Sequence, residues 1–257
     1  MESLYNVNGL MFWSEREIRL RRVMAEHFQA TLRETLLGFN PAWRFVEIEA
    51  PLLTPRTLIN PNYTNQDVWA QVVYRSVDEQ AVEEASLVLR PETTPGSYVA
   101  ADHMLKSQQG FKLPLVVWQS GKSFRREQDQ VTKNMRLKEF YQQEFQCLYA
   151  SDTMMDYHAA VMEPVCKMIA EMVHLPTRIV PSDRLPSYSQ ITMDVEVNNG
   201  DKWMEVCSIS RRTDFPSKVY MQTKKGIVEK EVLVLEVAIG LDRCVYNFDK
   251  QPWGPLV

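Results

Sequence analysis

Hydrophobic and polar positions alternate along this chain with two periods, and the switches between them mark its elements. After Ser14, the residues Leu20, Met24, Phe28, Leu32 and Leu36 recur every four positions, the spacing of one helix face. Ser14 and Glu17 form a capping box at the start of that helix, and Gly38 is its expected stop. Phe45 to Glu49 reads as a strand ending at Pro51, and the Pro-, Asn- and Thr-rich stretch from Thr54 to Asn65 as a loop. Leu87 to Leu89 is a short strand running into Arg90-Pro91-Glu92-Thr93, with a helix expected from Gly96 to Gln109. Leu115 to Glu127 and Leu137 to Leu148 read as two strands joined by the polar loop Gln128 to Arg136. Asp152 to Val173 has helical spacing, with Met154, His158, Val161, Val165, Ile169 and Met172 on one side. Ile191 to Val197 and Lys202 to Val206 flank Asn198-Asn199-Gly200-Asp201, a hairpin signal through Asn-Gly. Val219 to Gln222 and Val228 to Ala238 continue the strands, and Gly240 to Phe248 closes as a short helix.

Strands joined by hairpins, with helices inserted between groups of them, predict an α+β fold around a mainly antiparallel sheet flanked by helices. Neither GxxxxGK[ST] nor GxGxxG occurs, which removes the P-loop and Rossmann nucleotide sites. The chain's 257 residues fit one domain spanning 1–257. The absence of an apolar run of about 18 residues argues against a membrane span. The start lacks the basic and apolar segments of a secretion signal. Cys147, Cys166, Cys207 and Cys244 are widely spaced, without CxxC, and read as thiols of a reducing compartment, the cytoplasm. A net charge of −4 does not suit a general nucleic-acid binder, so any such contact needs a local basic patch.

The chemistry concentrates in the hairpin from Gly121 to Glu144. Strand alternation puts Arg125 and Glu127 on one face, and Phe140, Gln142 and Glu144 on one face. Closed over a pocket, they offer a guanidinium for a phosphate or carboxylate, a ring for a base, and two carboxylates. Glu127 suits an exocyclic amine and Glu144 an ammonium group. A surface hairpin with solvated charges and one core Phe fits the same pattern.

Phe124-Arg125-Arg126-Glu127, a loop, then Arg136-Leu137-Lys138-Glu139-Phe140 resembles motif 2 of the class II aminoacyl-tRNA synthetases, the glycyl enzymes in particular. Leu89-Arg90-Pro91-Glu92-Thr93 with Gly96 is similar to their Arg-Pro-Glu-Thr-Ala-Gln-Gly segment. Leu235 to Arg243 resembles motif 3, and Pro51 after a long helix and a strand resembles motif 1, the dimer-forming element. The resemblance runs from about Phe12 to Tyr246 and implies the class II catalytic fold. It implies activation of a small amino acid, glycine foremost, with ATP and Mg²⁺, transfer to tRNA, and a homodimer. Arg125 would bind the α-phosphate and the amino-acid carboxylate, and Arg243 the γ-phosphate. Glu127 would read the adenine amino group, Phe140 would stack on adenine, and Glu92, Glu144 and Glu236 would surround the substrate ammonium. Glu205-Val206-Cys207-Ser208 is similar to the seryl pattern in which Glu and Ser hold Mg²⁺, ligation that suits a hard cation. A strand-end Glu with a capping Ser fits those two residues as well.

Two departures bear on substrate and acceptor. Motif 3 of the glycyl enzymes begins Glu-Pro-Ser, whereas Glu236-Val237-Ala238 stands here, and Gln146 takes the place of a frequent second Glu. The chain also reaches Val257 shortly after motif 3, without the anticodon-binding domain of the glycyl, prolyl and threonyl enzymes. The expected acceptor is therefore a tRNA acceptor stem, with a carrier protein or another molecule as the alternative. A non-catalytic accessory protein is the reading from a different class.

Overall fold

A computed structural model describes residues 4–7, 9–59, 70–71, 87–107, 112–125, 135–183, 188–215, 218–223 and 226–248. A hairpin of β1 (Leu4–Val7) and β2 (Leu10–Trp13) precedes α1 (Glu15–Phe39) and β3 (Arg44–Glu47). Then β4 (Leu53–Pro55), β5 (Ala70–Gln71) and β6 (Leu87–Leu89) form a small antiparallel sheet with β6 in its middle. After α2 (Thr94–Lys106) come β7 (Leu115–Phe124), β8 (Glu139–Ala150) and α3 (Tyr157–Val173). The remaining strands are β9 (Thr177–Pro181), β10 (Ser189–Asn198), β11 (Trp203–Arg212), β12 (Lys218–Thr223) and β13 (Gly226–Ile239), followed by α4 (Leu241–Phe248).

The main sheet runs β3-β7-β8-β13-β11-β10-β9, with β12 paired to β13 beside it. Every pairing in it is antiparallel except β3 with β7. Alternation divides its residues between two faces. One face carries Trp118, Phe145, Cys147, Tyr149, Leu235, Val237, Ile239, Cys207 and Ile209 into a core shared with α1, α3 and α4. The other carries Leu115, Val117, Leu148, Val232 and Val234 under α2, in a second, smaller core. Further along that second face the apolar run stops and Gln119, Glu144, Gln146 and Glu236 take over, all buried.

The capping box at Ser14 and Glu17 is present, and Met24, Phe28, Leu32 and Leu36 are fully buried, with Leu20 at the core's margin. Gly38 does not end the helix; α1 continues to Phe39, and the Asn40 N–H bonds Leu36 O. A Cβ at Gly38 would meet nothing within 4 Å, so neither a close approach nor a turn requires glycine there. Helix α2 starts at Thr94, two residues early, with Pro95 in the first turn, where a missing N–H leaves no bond unmade. Helix α3 starts only at Tyr157, because the Asp156 carboxylate accepts the Ala159 N–H at 3.2 Å and caps it. Met154 therefore lies before the helix and is fully exposed. The Asn-Gly turn is in place with Gly200 at φ +91°, and β11 runs beyond Val206 to Arg212.

Candidate active site

The site begins with a clip. Arg90, at the end of β6, is buried and reaches three residues on two separate segments. Its Nε donates to Lys122 O at 2.8 Å, and one terminal nitrogen donates to Ala50 O at 2.7 Å and to Gln119 Oε1 at 3.1 Å. Gln119 in turn donates to Thr93 O at 3.0 Å and Ser97 Oγ at 2.9 Å, fixing the start of α2. Gly121 is required beside this clip, since a Cβ there would lie 2.3 Å from an Arg90 terminal nitrogen. The segment Arg90–Thr94 is thus pinned across β7, with Thr93 and Thr94 against β8 and β13.

Those strands supply the acids. Glu144 on β8 accepts from the Thr93 N–H at 3.1 Å, from the Thr93 hydroxyl, and from Gln142 Nε2 at 2.6 Å. Glu236 on β13 accepts from Gln146 at 2.7 Å and from Arg212 at 2.6 Å. Arg212 also meets Glu92 at 3.4 Å and Asp214 at 2.5 Å, and its guanidinium lies 4.0 Å from the centre of the Tyr188 ring. Tyr98 on α2 donates to Asp214 at 3.0 Å. Glu92, Glu144, Glu236 and Arg212 are each at most 4% exposed, so three carboxyls and their shared arginine sit out of water. Burial, reinforced by Glu236 and Glu92, pushes the Glu144 carboxyl up to about 8. Burial likewise raises Glu92, against the pull of Arg212. Although burial works against its charge, the surrounding Glu236 and Glu92 hold Arg212 well above the ordinary arginine value. This is a set of carboxyls short of positive charge, and a cation is what it accommodates.

The second subsite adjoins it. Arg125 donates from Nε to Pro91 O at 3.1 Å, and its guanidinium lies 5.2 Å from the centre of the Phe140 ring, with Glu92 in electrostatic reach. Both side chains are half-buried. Across the sheet, Arg243 in α4 donates to Glu205 O at 2.9 Å and lies 3.3 Å from its carboxylate. α4 is itself anchored by Asp242, which pairs with Arg21 at 3.0 Å and accepts the Tyr141 N–H at 2.8 Å.

Glu205 and Ser208 are three apart, a spacing that puts side chains on opposite faces of a regular strand. A bulge changes this: Cys207 pairs with Val195 and Glu205 with Glu196, leaving Val206 as an extra residue. Glu205 and Ser208 consequently share the site's face with Asp194, which lies opposite Ser208. Burial and the neighbouring Glu205 push the Asp194 carboxyl up to about 6. Among the described residues, no group of three or more His, Cys, Asp or Glu side chains is arranged as a metal cage. Glu127 lies outside the described residues.

The model of the tRNA synthetase class II core domain (G, H, P, S and T) matches residues 74–248. This chain belongs to that family. Glycine–tRNA ligase of Macrococcus caseolyticus is 30% identical over 188 residues, 68% of this chain and 40% of that enzyme. The Mycoplasma capricolum glycine–tRNA ligase is 28% identical over 176 residues, 63% of this chain and 38% of that enzyme. The match thus spans well under half the length of these curated relatives. The fold is also that of a Cryptosporidium parvum prolyl-tRNA synthetase solved with halofuginone and AMPPNP. The TM-score is 0.72 over 97% of this chain and 49% of that one, at 13% identity.

Within this synthetase core, the structure brings Glu92, Glu144 and Glu236 together, sets Arg125 against Phe140, and pairs Arg243 with Glu205. Sequence reasoning left Thr94, Asp194 and Tyr98 without a role. Nor did Arg212 or Asp214 receive a role there, and Gln146 entered only as a departure. All six line the same face or its rim, and their separation in sequence hides them from any spacing rule.

Proposed function

We propose that this synthetase core activates a small amino acid, glycine foremost, by joining it to the AMP moiety of ATP, and passes it to a tRNA. The observation that carries the reading is the buried cluster of Glu92, Glu144 and Glu236 around Arg212, with Arg125 and Phe140 adjoining it. A group of carboxyls in excess over its guanidinium suits an α-ammonium group. Arg125, adjoining Glu92, would hold the substrate carboxylate against the α-phosphate, and Phe140 would stack on adenine. Arg243 would leave Glu205 for the γ-phosphate, and Glu127 would accept from the adenine amino group.

The donor set of Glu205 and Ser208, with Asp194 opposite, fits Mg²⁺, which would neutralise phosphate charge there. In-line attack of a carboxylate on the α-phosphorus needs positioning and charge neutralisation more than a protein nucleophile. The arginines on either side of the site supply both.

Amino-acid-dependent exchange of pyrophosphate into ATP tests the reading. Purified protein with Mg²⁺ should support exchange, most readily with glycine, and Arg125→Ala should lower it by about 10²-fold or more. Absence of exchange with every amino acid would overturn the proposal. Charging of total tRNA then tests the acceptor.

A further inference from the structure

Thr94, the first residue of α2, is the junction of the acid cluster. It is 1% exposed, and its hydroxyl oxygen lies 3.0 Å from Glu144 Oε2 and 3.0 Å from Glu236 Oε2. The same oxygen is approached by Gln146 Nε2 at 3.0 Å and by an Arg212 terminal nitrogen at 3.2 Å. A hydroxyl has one hydrogen and two lone pairs, so it cannot satisfy all four neighbours at once. It donates to one carboxylate at a time, and the other lacks that hydrogen.

Thr93 and Gln142 also serve Glu144, and Gln146 and Arg212 also serve Glu236, but among the described residues only Thr94 is shared by both. Ala238, which pairs with Glu144 across β8 and β13, brings no hydroxyl. Gln146 directs its donor to Thr94 and Glu236, while its Oε1 is buried without a hydrogen-bond partner among the described residues. An arriving ammonium group carries three N–H donors, enough for both carboxylates and for that orphaned oxygen.

We propose that Thr94 determines the selectivity of this pocket. Its hydroxyl bridges Glu144 and Glu236, so that the site takes the ammonium group of an amino acid without a β-carbon. The proposal rests on the reading of this site as an amino-acid pocket. Thr94 holds two carboxyl groups from different strands at one spacing, and its methyl group, on the same carbon as the bridging hydroxyl, would compete for room with a substrate side chain beside that ammonium group. Its position is not adjustable, because Gln119 fixes Thr93 O and the Arg90 clip fixes Gln119.

The test compares Thr94→Ser, Thr94→Ala and Thr94→Val with the unaltered protein. Glycine and alanine are used both in equilibrium binding by calorimetry and in pyrophosphate exchange. Thr94→Ser should keep glycine binding within about threefold, because the bridging hydroxyl survives. Thr94→Ala should shift the alanine-to-glycine ratio of kcat/KM by about tenfold or more toward alanine, the scale of one methyl group in a pocket. Thr94→Val keeps the volume and removes the hydroxyl, so glycine affinity should fall at least tenfold, with KM moving more than kcat. Discrimination unchanged within twofold in Thr94→Ala would overturn the proposal. So would failure of the unaltered protein to bind glycine. Should Thr94→Val not fold, the Ser and Ala variants decide the matter. If glycine binds and Thr94→Ala shifts the alanine-to-glycine ratio of calorimetric Kd by the same factor but no exchange occurs, adenylate formation fails as a reading while the role of Thr94 stands.

Discussion

Glu144 shows what it takes to keep a carboxyl ready for a cation. Its folded-state value of about 8 lies far above the ordinary 4.5, so folding favours the protonated form. Stability from this group is full below 4.5 and is lost as pH rises toward 8, at no more than about 1.4 kcal/mol per pH unit. Asp194 and Asp242, pushed up to about 6, complete the same change at lower pH. Between pH 7 and 8.5, melting of the unliganded protein should therefore fall with pH, and Glu144→Gln should flatten that slope. An equal slope in the variant, by calorimetric melting, would rule out Glu144 as its source. Glycine affinity should move the opposite way over the same range, since the ionised carboxylate is the form that receives an ammonium group.

At the scale of elements, the two glycines Gly121 and Gly38 make opposite predictions. Gly121→Ala drives a Cβ into the Arg90 guanidinium, which is fixed by bonds to Ala50, Lys122 and Gln119. It should destabilise by about 1–3 kcal/mol in urea unfolding, in line with overpacking. Gly38→Ala, in open space within α1, should stabilise by about 0.5–1 kcal/mol. Long elements with a buried face, such as α1, β7, β8 and β13, were legible because burial repeats along them. The hairpin β1–β2 and strand β9 have only four or five residues each, too few to display a period. Met154 was misread because spacing by four continued past the point where the Asp156 cap starts the helix. In the site, one strand's alternation made Phe140 and Glu144 readable as a pair. The contact of Thr94 with Glu236 spans 142 positions, and only the fold brings them together.

For the whole molecule, surface composition bears on assembly. Leu10 and Phe12 in β2, Val23 in α1, and Leu52, Leu53 and Leu58 near Pro51 are large apolar side chains left exposed. These regions include the first helix and the Pro51 segment, which resemblance to motif 1 marks as a dimer interface. Sedimentation velocity should show a dimer, and Phe12→Asp combined with Val23→Asp should shift it to monomer. A monomeric unaltered protein would remove that role from this surface. Within the described residues, no helix is long and apolar enough to cross a membrane.

The division of labour between the two faces of the sheet has a consequence for how such a chain can change. Packing against α1, α3 and α4 secures the fold from one side, while the acids, Arg125, Arg212 and Thr94 occupy the other. Substitutions on the reactive side can therefore explore new substrates without dismantling the scaffold. The same freedom lets drift discard the buried acids, whose desolvation burdens the folded state. A lineage released from chemistry would gain stability by losing them, and Glu92, Glu144 and Glu236 all stand buried here.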